Sequence, residues 1–311
     1  MGLLEGKVAI VTGSGRGVGR AEALVMAREG AKLVINDLGG HFDGTGQSRT
    51  PAEEVVHEIR NAGGEAVANY ESVSDFKAAR RIIECALDNF GKLNIVVNNA
   101  GILRDRMIFN MSEEDFDAVI AVHLKGTFNV TRHAAAYWRE QHKNGNFLNG
   151  RIINTTSDSG LLGNPGQANY GAAKAAVAAM AIIVDRELAR YGVTANAVAP
   201  IARTRMTVDA TPQTAAAMAA PAASDFDRFD PFHIAPLVAW LASDDAKDVH
   251  GEVFRAGMGT VWLMKGWHSV AKISRKGPPW EPAALGTQLK EELAKGLSAK
   301  ESMGTVMSQG A

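Results

Sequence analysis

Seven short apolar, β-branched runs that alternate with longer stretches of helical period constrain this chain more than any other feature. They are Lys7 to Val11, Lys32 to Asn36, Ala66 to Tyr70, Asn94 to Asn98, Gly150 to Thr155, Val193 to Ala199 and Gly251 to Arg255. Strands that read as continuous apolar runs are buried on both faces, and helical connections between them make the sheet parallel. Right-handed crossovers then give a doubly wound α/β sheet with helices on both faces. Its ligand crevice opens at the carboxyl ends of the strands, near the switch in strand order.

Two stretches interrupt the alternation. Gly39 to Pro51 is rich in Gly and turn residues, and Arg203 to Pro231 holds an Ala-rich segment beside Pro212 and Pro221. Loops of that length usually serve as lids or stay without fixed structure. From about Trp262 the alternation stops, and Gly277-Pro278-Pro279 breaks the chain before a polar helix expected near Thr287 to Leu297. The expected organisation is one α/β domain over 1–262 and a C-terminal appendage over 263–311, placed at a subunit interface.

Composition narrows the partner. Thirty-three basic residues face 34 acidic ones, so no global field favours nucleic acid or an anionic membrane. The single cysteine, Cys85, excludes an internal disulfide framework and agrees with a reducing compartment. No apolar run is long enough to span a bilayer, and Met1 to Glu5 lacks the basic stretch of a signal peptide, so the cytoplasm is the expected location. No metal-ligand spacing stands out.

The run Thr12 to Gly19, T-G-S-G-R-G-V-G, leaves the first strand and opens the first helix. Glycines there let the backbone approach a pyrophosphate at a helix N-terminus, which makes Gly13, Ser14, Arg16, Gly17, Val18 and Gly19 candidate cofactor residues. A tight turn without a ligand would look the same. Asp37, at the end of the second strand, adds the missing part, since a carboxylate there accepts hydrogen bonds from ribose hydroxyls and repels a 2′-phosphate. Arg16 points the other way, because a cation could pair with that phosphate. The carboxylate conflicts directly with an added dianion, whereas Arg16 can face solvent, so NAD is the expected cofactor.

Tyr170 and Lys174 lie four residues apart in a stretch, Ala168 to Arg190, that reads as one helix, so they share a face. A phenol with an ordinary pKa of about 10 is a poor base near neutrality, and an adjacent ammonium is expected to stabilise the phenolate. Tyr170 then exchanges a proton with substrate. Ser157, thirteen residues upstream beyond the Gly150 to Thr155 strand, reaches the same crevice mouth and can bind the reacting oxygen. Ser159 and Thr156 compete for that role.

The glycine run, Asn98-Asn99-Ala100-Gly101, Ser157, Tyr170 and Lys174 resemble in order and spacing the short-chain dehydrogenase/reductase family, over about residues 5 to 262. The resemblance implies a Rossmann-like fold and an NAD-dependent oxidoreductase acting on a secondary alcohol. It also implies that Asn99, Ala100 and Gly101 line the cofactor site, that Lys174 binds the nicotinamide ribose, and that Pro200 to Thr204 closes over the nicotinamide with Thr204 at the carboxamide. Ser72-Val73 stands where Asp-Val is common, so adenine would meet a hydroxyl and a backbone amide. Pro200-Ile201 departs from the usual Pro-Gly.

His123 is a sharper departure, standing where most members carry an asparagine of the catalytic tetrad. Either it packs inside a helix, or it takes over that asparagine's structural role near Lys174. The same histidine occurs in the (3R)-hydroxyacyl-CoA dehydrogenase domains of peroxisomal multifunctional enzymes, and Asn36 to Gly40, Ala66 to Tyr70, Gly101 to Arg106, Gly166 to Tyr170 and Ala235 to Leu241 also resemble that branch. Ala134 to Arg139 resembles bacterial relatives acting on steroid side-chain thioesters. The implied reaction is oxidation of a 3-hydroxyacyl-CoA thioester. A 17β-hydroxysteroid substrate and a non-catalytic nucleotide-binding subunit are the alternatives. Arg104, Arg106, Arg203 and Arg205 are candidates for CoA phosphates, although exposed arginines are usually only solvated. A homodimer or homotetramer is the implied assembly.

Overall fold

The computed structural model describes residues 2–208, 215–216, 218–222, 226–269, 271–274 and 279–293. Pro212, Gly277, Pro278 and 294–297 of the expected polar helix lie outside them. By its internal contacts the chain divides into a unit over Met1–Met264 and a second over Lys265–Ala311.

The first unit holds strands β1 (Val8–Thr12), β2 (Lys32–Asn36), β3 (Ala66–Asn69), β4 (Ile95–Asn98), β5 (Arg151–Thr155), β6 (Thr194–Ile201), β7 (Val253–Gly257) and β8 (Thr260–Met264) in one sheet. Their order is β3-β2-β1-β4-β5-β6-β7-β8, parallel except for β8. The order reverses at β1, which pairs with β2 on one side and β4 on the other. The crevice expected of such a sheet opens at that point.

Helices α1 (Gly17–Arg28), α2 (Thr50–Asn61), α3 (Phe76–Phe90), α4 (Glu113–Ile120), α5 (Gly126–Lys143), α6 (Asp158–Leu161), α7 (Ala168–Leu188), α8 (Arg205–Val208) and α9 (Ala235–Leu241) connect the strands. Because strand side chains alternate between faces, Ala9 and Val11 of β1 join a core with α1, α2 and α9, while Val8 and Ile10 join one with α3, α5 and α7. Asp75 caps α3 through Ala78 N at 2.6 Å, and Ser112 caps α4 through Asp115 N at 3.1 Å. Between α4 and α5, Ala121–Lys125 winds as a π turn that carries His123 inward.

Two differences from the sequence expectation have local causes. β6 runs on to Ile201, past the expected end at Ala199, because Pro200 and Ile201 pair with Ala256 and Gly257 of β7. β8 extends beyond Trp262 and pairs antiparallel with β7 through the two-residue turn Met258-Gly259, both at positive φ (55° and 73°). In the second unit α10 (Pro282–Gln288) starts before Thr287 and passes into a π turn over Leu289–Leu293. Among the described residues no helix is long and apolar enough to cross a membrane, and no cluster of His, Cys, Asp and Glu is placed to hold a metal ion.

Candidate active site

The glycine run forms a tight cradle after β1. Gly13 and Gly17 sit at φ 64° and 57°, conformations glycine reaches without strain. A Cβ on Gly13 would meet Ala100 Cα at 2.7 Å, and one on Gly17 would meet Thr204 Cγ2 at 3.2 Å. Thr204 therefore lies against the glycine run, on the segment that follows Pro200. Asn99 ties its amide to the carbonyls of Thr12 and Gly13, both at 3.0 Å, and Thr12 Oγ1 receives the N–H groups of Asn99 and Ala100. The Asn98 to Gly101 turn thus holds the cradle from behind.

Asp37 accepts from Gly15 N at 2.7 Å and from Gly39 N at 2.6 Å, so its carboxylate is fixed beside the run. Arg16 is exposed, and the buried Ser14 hydroxyl donates to Val11 O at 2.7 Å. Val18 is buried. Ser72 shares a hydrogen bond with Ser74, and Val73 O accepts from Asn129. A glycine cradle that any side chain would fill, opening a helix with uncapped N–H groups beside a fixed carboxylate, fits a dinucleotide.

At the crevice, Ser157 caps α6, accepting from Ser159 N at 3.2 Å, and its hydroxyl lies close enough to the Tyr170 phenol to favour the phenolate. Its competitors are committed elsewhere. Ser159 donates to Gln167 Oε1 at 2.6 Å, and Thr156 donates to Lys174 O at 2.7 Å. Lys174 is buried, donates to Thr155 O at 2.5 Å, and stands 5.7 Å from the Tyr170 ring centre. Burial pushes Tyr170 up to about 12, against the hydrogen bond from Ser157, and Asp105 and Asp158 add to the push. Burial pushes Lys174 down to about 7, with Glu22 working the other way. The expected lowering of Tyr170 by Lys174 is not found: burial sets the direction for both groups. The tyrosine is only half-buried, and solvent at the crevice mouth works against that push.

His123 does more than pack. Its Nε2 lies 3.0 Å from Ile102 N and 2.7 Å from Ile102 O, and its ring meets Tyr170 edge-on at 5.0 Å. Burial, and then Lys174, hold its pKa well below the usual histidine value, so the ring is neutral. Gly101 leaves room for it, since a Cβ there would lie 2.3 Å from His123 Cε1.

A family model of short chain dehydrogenases matches residues 7–215. The chain belongs to the short-chain dehydrogenase family. It is an oxidoreductase that uses a nicotinamide cofactor and acts on CH–OH donors. A hydroxyacyl-CoA dehydrogenase of Mycobacterium tuberculosis is 45% identical over 94% of this chain and 90% of its own length. The mouse peroxisomal multifunctional enzyme type 2 is 40% identical over 90% of the chain, which covers 36% of that protein. A solved short chain dehydrogenase from Mycobacterium avium superposes with a TM-score of 0.84 at 46% identity, covering 96% of this chain and 98% of that one.

Within this dehydrogenase the four arginines suggested for CoA phosphates all make protein contacts. Arg203 pairs with Asp227, and Arg104 reaches Asp43 O at 3.0 Å. Arg205 donates to Gly40 O at 3.2 Å, and Arg106 to Asp105 O at 2.8 Å. Arg104 and Arg205 thereby tether the Gly39 to Pro51 loop. Sequence reasoning missed Asp105, whose carboxylate accepts from Gln167 at 2.7 Å, and Asn169, which ties Arg104 O and Asp115 O to the start of α7. It also missed Glu22, buried on α1. A carboxylate on the apolar face of that helix was the available signal.

Proposed function

We propose that this dehydrogenase oxidises the C3 alcohol of a (3R)-3-hydroxyacyl-CoA to the ketone, with NAD as hydride acceptor. The observation that carries the chemistry is the convergence of Ser157, Tyr170 and buried Lys174, with the Ser157 hydroxyl acting on the phenol and the ammonium 5.7 Å from the ring centre. The substrate class comes by similarity to the mycobacterial hydroxyacyl-CoA dehydrogenase. Asp37 favours NAD, because its fixed carboxylate would face a 2′-phosphate.

Ser157 and Tyr170 would hold the alcohol oxygen, and Tyr170 would take its proton. Bound NAD supplies the acceptor for the hydride leaving C3. Lys174, anchored on Thr155 O, passes positive charge toward the phenol, and His123 fixes the Ile102 backbone behind it. We place the enzyme in the cytoplasm, in keeping with its lone cysteine, Cys85. A homodimer or homotetramer is the assembly we propose, supported by exposed Phe76, Phe116 and Phe128 on α3, α4 and α5, with the C-terminal extension contributing to an interface.

Nicotinamide absorbance is followed with NAD and NADP against (3R)- and (3S)-hydroxyacyl-CoA and a 17β-hydroxysteroid. Turnover of the (3R) thioester with NAD is expected. Turnover of the steroid alone would contradict the substrate, and silence throughout would leave a nucleotide-binding protein.

A further inference from the structure

Directly after Ser157, the Asp158 carboxylate is 95% buried on its side-chain surface and meets Arg255 Nε at 3.4 Å. Arg255 projects from β7, where its backbone pairs with Ala199 on one side and Trp262 on the other. Its guanidinium lies 4.3 Å from the Trp262 ring centre, and its side chain is 3% exposed. Taking two charges out of water is costly, and an apolar pair of the same volume would fill the space at least as well. α6 is a single turn, too short to hold its own shape. It is packed closely at Gly160, where a Cβ would meet Ala175 N at 2.5 Å, and at Asp158 it is ion-paired with Arg255, whose Nε makes no hydrogen bond among the described residues.

We propose that Asp158 and Arg255 are a positioning pair, which aims Ser157 at the reacting oxygen and keeps the Asp158 charge from acting unopposed on Tyr170. The proposal rests on the reading of Tyr170 as the acid/base. Groups facing Tyr170 come from four places: Ser157 and Asp158 at the α6 turn, Asp105 after β4, His123 on the π turn, and Lys174 along α7. Asp105 and Asp158 are the two carboxylates among them. Asp105 accepts from the neutral Gln167 amide and feels the Arg106 charge, whereas Asp158 is ion-paired with Arg255 in the interior. Removing that counter-charge disfavours the phenolate, so oxidation requires a higher pH.

The test is the pH dependence of kcat for oxidation of a (3R)-3-hydroxyacyl-CoA by the whole enzyme, with Tyr170→Phe as control. In Arg255→Gln the rising limb moves up by about one pH unit, a loss of about tenfold near neutrality, with KM within about threefold. Arg255→Lys restores at least half of that shift. The double variant Asp158→Asn with Arg255→Gln, which removes both charges, returns the limb to its original position. Coincident limbs for Arg255→Gln and the parent, or a double variant shifted like the single one, overturn the proposal. If Arg255→Gln shows no cooperative melt, Asp158→Asn alone decides: its limb moves down, and an unmoved limb is contrary. An active Tyr170→Phe enzyme would instead sink the acid/base reading, while an inactive one beside unmoved limbs sinks only the pair.

Discussion

His123 meets Tyr170 edge-on, ring centroids 5.0 Å apart, while its Nε2 grips the backbone of Ile102. One side chain thus fixes the wall behind the phenol and the turn that supports the glycine cradle. Burial keeps the ring neutral, and its Nε2 then makes one of these bonds at a time, accepting from Ile102 N as the Nδ1–H tautomer or donating to Ile102 O as the Nε2–H tautomer.

His123→Ala would strand the Ile102 N–H in the interior and leave a cavity beside Tyr170. Urea unfolding should show a loss of about 2–4 kcal/mol, with kcat lower by at least about tenfold. His123→Asn, which offers a shorter acceptor and donor, should recover most of kcat. If alanine and parent enzymes match in both measurements, the anchoring role is wrong.

Much of this was legible in the residues, and the exceptions are instructive. β2 occupies Lys32–Asn36, as its β-branched run indicated, and the α7 helix starts at Ala168 as its periodicity required. β8 was hidden because its hairpin turn is Met258-Gly259 rather than Asn-Gly. A turn with positive φ at both central residues normally announces itself by Asn, Asp or Gly at both. Ser157 was separable from Ser159 only once Gln167 was seen to take the Ser159 hydroxyl. Asp158 and Arg255 are 97 positions apart in the chain (255 minus 158), and no local pattern brings a charge in one strand to a turn after another.

Glu22 gives a stability prediction. Burial raises its pKa from 4.5 to about 8, with Lys174 opposing, so the folded protein holds the carboxyl protonated where the unfolded chain has lost that proton. Its contribution is fully present below the unfolded pKa and is lost as pH rises through the folded value. Glu22→Gln, neutral at every pH, should therefore gain on the parent as pH rises from about 4.5 to about 8, by up to a few kcal/mol. Denaturant midpoints across that range check it. A constant difference would show that Glu22 is ionised throughout.

Asp37 should govern cofactor choice. Asp37→Ala removes the acceptor for Gly15 N and Gly39 N and the charge that would face a 2′-phosphate. The KM for NAD should rise about 10- to 100-fold, and the preference for NAD over NADP should narrow. Steady-state kinetics with both cofactors decides; an unchanged ratio would remove Asp37 from that role.

Tyr170→Phe removes the phenol oxygen on which the proposed proton transfer depends. NADH formation from a (3R)-3-hydroxyacyl-CoA is measured beside NAD affinity by calorimetry. Turnover should fall about a thousandfold, with the Kd for NAD changed by less than about threefold. Turnover within about tenfold of the parent, with NAD bound as before, would contradict that proton transfer.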